Sequence, residues 1–229
     1  MIRLVTRNFI FKNFTAITSE ISEIQTSMFD DDPEYFLEDD DRQWYYDMYD
    51  AVDVKPEKIK KYYDVVSFDH PEIATFTPEL GNKVINLLSQ LGIEEVFMIG
   101  HIKLDFIGSP ENKYKPLQKA IKSFVRLTGD IKYNEALIAD TRSLPALIDI
   151  AFWLGRCDCS CPEYIYFADV KDRIAFYLCK SGGMHIIQFD CDIVSDEIIE
   201  GLDMYFVKGG CEERFSGSSK IEGRMSKKY

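Results

Sequence analysis

The amino-acid sequence predicts an α+β domain in which helices pack against a mixed or mostly antiparallel sheet. Two observations lead to this prediction. After residue 76, segments with helical and strand periodicity follow in the order helix, strand, strand, helix, strand, helix, strand, strand, strand, helix, a pattern typical of α+β proteins. The turn Ser181-Gly182-Gly183 joins two of these strands through a connection so short that they pair antiparallel.

The N-terminal part predicts a helical subregion over residues 1–67. Ile17, Ile21 and Ile24 recur at spacings of four and three, which place them on one helix face. Four lysines between Val54 and Ser67 indicate a short basic helix beside an acidic neighbour.

The second half carries clearer signals. A helix is expected to begin with Thr77 as N-cap and Pro78 in its first turn, and to end at Gly92. The strands EEVFMIG and HIKLDFIG follow, with a hairpin turn expected near Gly100. The remaining segments are, in order, the helix KYKPLQKAIKSFVRLTG, the strand EALIAD, the helix SLPALIDIAFWLG, the strands EYIYFADV, RIAFYLCK and MHIIQFD, and a helix from Ser195.

The domain organisation follows from composition. Hydrophobic residues make up 46% of the chain and aromatic residues 14%, which is enough for a buried core. We expect residues 1–215 to form a single domain, with its weakest internal boundary near residues 67–77. Residues 216–229 are polar, and Ile221-Glu222-Gly223-Arg224 matches a protease-cleavage tetrapeptide often engineered into recombinant proteins. We therefore predict a flexible tail there, either native or artificial.

Charge is concentrated in one stretch of the chain. The 229 residues carry a net charge of −12, and the segment Met28–Asp50, called here the acidic-aromatic segment, holds ten acids against the single base Arg42. A strongly acidic protein is a poor match for nucleic acid or an anionic membrane, because both bind basic surfaces. The charge instead favours a basic protein partner.

Three other features of the sequence indicate a cytoplasmic protein. No apolar run approaches the roughly 18–20 residues that span a bilayer, and the N-terminus lacks the pattern of a signal peptide. The six cysteines are too sparse for a small secreted disulfide scaffold.

No specific catalytic motif is present. The sequence contains no GxSxG, GxxxxGK[ST] or GxGxxG pattern and no HExxH pair. We therefore expect a non-enzymatic protein without a cofactor.

A cysteine cluster provides the alternative hypothesis. Cys157, Cys159 and Cys161 alternate with other residues, but in an extended chain they would span about 13 Å, too far for one tetrahedral metal site. Reduced thiols are the expected state. If a turn folded the three thiols together and Cys179 and His185 completed the set, the protein would instead be a metal- or thiol-dependent enzyme.

The acidic-aromatic segment is the main candidate for a functional surface. Seven aromatic residues lie among its ten acids, and aromatic anchors surrounded by steering charges are typical of protein-binding surfaces. A helix from about Arg42 would place Tyr45 and Tyr49 on one face, with Trp44 and Asp47 beside it. The other interpretation is an amphipathic helix that packs its aromatic side on the core. The candidate partner-binding residues are Asp31, Asp32, Glu34, Tyr35, Glu38, Asp39, Asp40, Asp41, Trp44, Tyr45, Asp47 and Tyr49.

The chain resembles the immunity proteins of bacterial polymorphic-toxin systems. The resemblance rests on an acidic, motif-poor α+β chain and on the runs WLGRCDCSCPEYIYF at Trp153–Phe167 and LCKSGGMHI at Leu178–Ile186, about a fifth of the chain. It implies an inhibitor that binds a cognate toxin and blocks its active site, and an acidic surface that opposes a basic toxin. A general protein-interaction adaptor is the remaining alternative.

Overall fold

The computed structural model describes residues 1–30, 39–50, 52 and 59–208. Its helices are α1 (Arg7–Asn13), α2 (Thr15–Met28), α3 (Asp39–Asp47), α4 (Ile73–Gln90), α5 (Lys115–Thr128), α6 (Leu144–Cys157) and α7 (Asp196–Glu200). Its strands are β1 (Ile2–Val5), β2 (Lys61–Ser67), β3 (Glu95–Gly100), β4 (Ala136–Asp140), β5 (Ile165–Asp169), β6 (Ile174–Leu178), β7 (Met184–Phe189) and β8 (Tyr205–Phe206).

The eight strands of the described residues form one antiparallel sheet in the order β1-β4-β3-β5-β6-β7-β2-β8. The predicted α+β class is therefore confirmed. The hairpin between β6 and β7 is also present, because Gly182 adopts a φ of 87° and the Cys179 amide donates to the Gly183 carbonyl at 2.9 Å.

Helices cover the two faces of the sheet unequally. On the four-helix face, α4, α5, α6 and α7 bury a large aliphatic core that includes Leu80, Leu117, Leu147 and Ile199. On the two-helix face, α1 and α2 bury a smaller core around Ile10, Ile17 and Ile21, against residues such as Phe97 and Ile138 of the sheet. Part of the second face extends beyond α2, and this is where a pocket forms.

The prediction of a helical subregion over residues 1–67 is wrong at both ends, because β1 and β2 belong to the sheet. β1 pairs with β4, and β2 lies between β7 and β8. The lysine spacing suggested a basic helix up to Ser67, but Tyr62, Tyr63, Val65 and Val66 are aromatic or β-branched residues that suit a pleated strand. Residues 53–58 of that predicted helix lie outside the described part of the chain.

The start of α4 also differs from the prediction. The helix begins at Ile73, and Pro78 lies inside it. Ile73 and Phe76 are 4% and 1% exposed, so they extend the apolar stripe of the helix by one turn towards its N-terminus. The burial of these two side chains offsets the free energy of the backbone hydrogen bond that Pro78 cannot form. Thr77 does not cap the helix; its hydroxyl donates to Asp149 Oδ1 at 2.6 Å.

Two further differences lie in loops. HIKLDFIG was expected to be a strand, but residues 101–108 form no regular element. Their backbone makes single contacts with separate segments, as when the Lys103 amide donates to the Met48 carbonyl at 2.7 Å and the Phe106 amide to the Tyr133 carbonyl at 3.0 Å. The last helix is shorter than expected, since α7 ends at Glu200 and the short strand β8 follows.

Candidate functional site

Helix α3 carries the described centre of the acidic-aromatic segment. Tyr45 is only 6% exposed, and its ring centroid lies 6.1 Å from that of Phe29 and 5.3 Å from that of Tyr49. The Tyr45 hydroxyl also accepts a hydrogen bond from the Asp30 amide at 2.7 Å. Tyr45 therefore faces the protein's own interior, as the amphipathic-helix interpretation expects, and almost none of it is exposed to solvent. Tyr49 is half-buried, with its hydroxyl donating to the Met28 carbonyl at 3.2 Å.

A buried ion pair fixes the end of this segment. Arg7 is 3% exposed, and its guanidinium donates to both carboxylate oxygens of Asp50 at 2.6–3.1 Å. The Gln25 side chain donates to the same carboxylate at 2.8 Å, while its own carbonyl accepts the Asp50 amide. Asp50 is therefore a structural carboxylate, which the sequence analysis counted only as part of the acidic charge.

The opposite side of α3 faces solvent. The Trp44 side chain is 56% exposed and that of Tyr46 is 38% exposed. Asp41 and Asp47 are exposed on the same short helix, with Asp47 accepting a hydrogen bond from Gln43 at 2.8 Å. These side chains combine aromatic area and negative charge, as the partner-surface interpretation expects.

The exposed aromatic area continues onto the end of α2. Met28 and Phe29 are 44% and 43% exposed. A groove with a volume of about 410 Å³ lies between this end of α2 and the aromatic residues Tyr46 and Tyr49. We call the exposed set Met28, Phe29, Asp41, Trp44, Tyr46 and Asp47 the α3 surface.

The other candidate residues are only partly covered by the structure. Asp39 and Asp40 form the first turn of α3. The candidates Asp31, Asp32, Glu34, Tyr35 and Glu38 lie outside the described residues.

The alternative metal set is not assembled. Cys157 and Cys161 pack against the core of the four-helix face, whereas His185 lines a pocket on the two-helix face. Cys159 is exposed, and Cys179 lies at the β6–β7 hairpin. Within the described residues, no three His, Cys, Asp or Glu side chains are placed to hold a metal ion together.

The thiol environment is also unfavourable for nucleophilic chemistry. Burial raises the pKa of Cys157 to about 12, and burial followed by the charge of Asp158 raises the pKa of Cys161 further. Asp158 itself has a structural role, because its carboxylate accepts the backbone amides of Gly108 and Ser109 at 2.8 Å each.

A second site was not anticipated from the sequence. On the two-helix face, a pocket of about 330 Å³ lies between the sheet and the C-terminal half of α2. Tyr166 on β5, Tyr177 on β6 and His185 on β7 stand side by side in one cross-strand row. We call this site the tyrosine pocket; its sheet wall is completed by Tyr63, Asp64, Val65, Tyr164, Ile186 and Ile187, and its helix wall by Glu20, Ile24, Ser27 and Met28.

The rings of the tyrosine pocket form a continuous cluster in which Tyr177 contacts Tyr164, Tyr166 and His185. The Tyr177 ring lies 4.6 Å from the His185 ring with an interplanar angle of 11°, and 4.9 Å from the Tyr164 ring. Tyr166 meets Tyr177 edge to face at 5.5 Å. Burial, followed by the nearby charge of Glu20, raises the pKa of Tyr166, so its hydroxyl stays protonated.

One buried carboxylate organises the polar side of the pocket. Glu20 is 5% exposed and pairs with Lys61 Nζ at 2.6 Å. Its carboxylate also accepts the Tyr63 hydroxyl at 3.0 Å and the Tyr166 hydroxyl at 3.5 Å. The sequence held a signal for this site, since EYIYFADV alternates so that Tyr164 and Tyr166 share the face opposite Ile165 and Phe167.

Comparison of the chain with protein-family models, with curated proteins and with solved structures finds no match. Among the residues that the structure describes, no helix combines the length and the apolar character needed to cross a membrane.

Proposed function

We propose that this protein is a non-enzymatic binding protein that neutralises a basic protein partner, a cognate toxin, in the cytoplasm. The observation that carries the proposal is the α3 surface, on which the exposed rings of Trp44 and Tyr46 lie beside the exposed carboxylates of Asp41 and Asp47. The resemblance to immunity proteins supports the choice of a toxin as the partner.

The mechanism follows from the properties of these side chains. Exposed aromatic rings that enter apolar pockets of a partner lose contact with water, and such anchors dominate the affinity of many interfaces. The carboxylates attract a basic surface at long range and accelerate association. On a toxin that acts on an anionic substrate, bound carboxylates would occupy the positive site and exclude that substrate.

The experiment uses the product of the gene directly upstream of this one, because an immunity gene normally sits directly behind its toxin gene. Co-expression should protect the host from that protein, and the purified pair should bind with an association rate that falls as salt is raised. Trp44→Ala should weaken binding by about thirtyfold, corresponding to about 2 kcal/mol for loss of a central anchor. Asp41→Asn combined with Asp47→Asn should slow association.

Two controls separate the α3 surface from the rest of the molecule. Ile131→Ala removes an apolar side chain that is 39% exposed outside this surface, and Glu197→Gln with Glu200→Gln neutralises two exposed acids of α7. Both control variants should protect and bind like the wild type. If neither protection nor binding is observed for the wild-type chain, or if the α7 variant alone loses affinity, the proposal is wrong.

A further inference from the structure

The tyrosine pocket has the composition of a site for a positively charged group. Tyr63, Tyr164, Tyr166 and Tyr177 line it together with His185. The face of an aromatic ring carries partial negative charge, and rings around a cavity attract ammonium and guanidinium groups. Aliphatic side chains such as Ile24 and Val65 fill the remaining wall, which suits the methylene groups that carry such a cation.

The fixed charges around the pocket are also negative in balance. Among the residues that the structure describes, Lys61 is the cation at this site, and it is already paired with Glu20 at 2.6 Å and with Glu23 at 2.7 Å. Glu163 adds a third carboxylate through its hydrogen bond to the Tyr164 side chain. Burial raises the pKa of the Tyr177 hydroxyl, and the negative charges of Glu20 and Glu163 contribute to this rise. The pocket therefore favours a cation over a neutral or anionic ligand.

The pocket is continuous with the α3 surface. Met28 belongs to both, because it lines the pocket and is 44% exposed at the end of α2. Its carbonyl accepts the Tyr49 hydroxyl, which joins the pocket rim to the aromatic cluster around Tyr45. Tyr63, at 62% exposure, lines the pocket where it meets solvent. A partner seated on the α3 surface would thus extend directly over the mouth of the pocket.

We infer that the tyrosine pocket receives a lysine or arginine side chain of the basic partner. This inference rests on the proposed function, since it identifies the chemistry of one contact in that interface. The side chain enters with its methylene groups along Ile24 and Val65 and places its charge against the tyrosine rings.

The first test needs no knowledge of the partner. L-Argininamide is titrated into the full chain, and L-citrullinamide, which replaces the guanidinium by an uncharged urea of the same shape, serves as the matched probe. Argininamide should bind with a dissociation constant on the order of millimolar and shift the aromatic NMR signals of Tyr177 and His185. Citrullinamide should bind about tenfold more weakly, as expected for loss of a partly desolvated cation–π contact.

Pocket variants test the role of the rings. Tyr177→Leu should weaken argininamide binding by about tenfold, whereas Tyr177→Phe, which keeps the ring face, should stay within about twofold of the wild type. Because Tyr177 is packed among other rings, Tyr63→Leu provides a second variant at a side chain that is 62% exposed. The Trp44→Ala variant should bind argininamide like the wild type.

The outcomes distinguish this inference from the proposed function. Equal binding of the two probes, or shifts confined to the α3 surface, would overturn the inference. The inference would also be overturned if Tyr177→Leu and Tyr63→Leu both abolished argininamide binding but left the affinity for the partner unchanged. The pocket would then bind a free organic cation and not a side chain of the partner. In each of these cases, a weaker affinity of Trp44→Ala for the partner would still support the proposed function. Failure of the wild-type chain to bind the partner, with argininamide still bound in the pocket, would overturn the proposed function.

Discussion

His101 should make the folded protein sensitive to mild acid. Its side chain is 1% exposed, and its Nδ1 accepts the Tyr164 amide at 3.2 Å. Burial, to which the positive charge of Arg7 adds, lowers the pKa of His101 from 6.5 to about 4. The perturbation is His101→Asn, because an amide oxygen can still accept the Tyr164 amide while the side chain no longer titrates.

The sign and size of the effect follow from the two protonation states. Above about pH 7 neither the folded nor the unfolded chain protonates this imidazole, so it contributes no pH dependence there. Between 6.5 and about 4 the unfolded chain binds the proton and the folded chain does not, so stability falls as the pH falls. At about 1.4 kcal/mol per pKa unit, the loss is about 1 kcal/mol by pH 5.5 and about 3 kcal/mol by pH 4.

Urea unfolding at a series of pH values measures this difference. The free energy of unfolding should decline more steeply for the wild type than for His101→Asn, by about 3 kcal/mol between pH 7 and pH 4. Carboxylates that titrate in the same range are common to both proteins and cancel in the comparison. Parallel stability curves, or an NMR titration of the His101 ring with a midpoint near 6.5, would refute the reasoning.

Three other changes give distinct expected results. Asp50→Ala leaves a buried guanidinium without its carboxylate, and urea unfolding should show a loss of about 3 kcal/mol, whereas a loss below about 0.5 kcal/mol would contradict the buried ion pair. Gly108→Ala would drive a Cβ into the facing residue and should cost about 2 kcal/mol, while Gly155→Ala on α6, where a Cβ meets only open space or a carbonyl at 4.0 Å, should be neutral or stabilising. Iodoacetamide at about pH 8 should alkylate the exposed Cys159 well before the buried Cys157, whose pKa is about 12, and equal rates would show that Cys157 is accessible.

The second half of the fold could be predicted because its signals are local. The helix over Lys115–Thr128 shows one apolar stripe and ends at Gly129, which has a φ of 79°. The hairpin between β6 and β7 needs only the two glycines and the flanking strands. By contrast, residues 101–108 alternate like a strand, but their backbone amides donate to separate residues that include Met48, Tyr133 and Asp158, and such scattered contacts leave no pattern in the sequence.

The candidate site could be predicted only in part for the same reason. The helix period groups Tyr45 with Tyr49, but which side of α3 is buried depends on Phe29 and on the ion pair between Asp50 and Arg7, 43 residues earlier in the chain. Tyr45 consequently lies inside and Trp44 outside. The tyrosine pocket was missed because it requires β2 to lie against β7, and the paired residues are 118–128 positions apart in the sequence.

The network under α3 also explains how an intrinsically unstable helix could be ordered enough to serve as the proposed binding surface. A helix of nine residues with three consecutive aspartates is too short and too acidic to be stable alone. Tyr45 in its aromatic cluster and Asp50 in its buried ion pair hold it in place from within, and the Lys103 amide fixes the turn that follows. Because these contacts order the backbone before any partner arrives, Trp44 would lose little more than its own rotamer freedom on binding, about 0.5–1.5 kcal/mol. The buried side of α3 therefore holds its exposed side in place, and the proposed binding role concerns the exposed side alone.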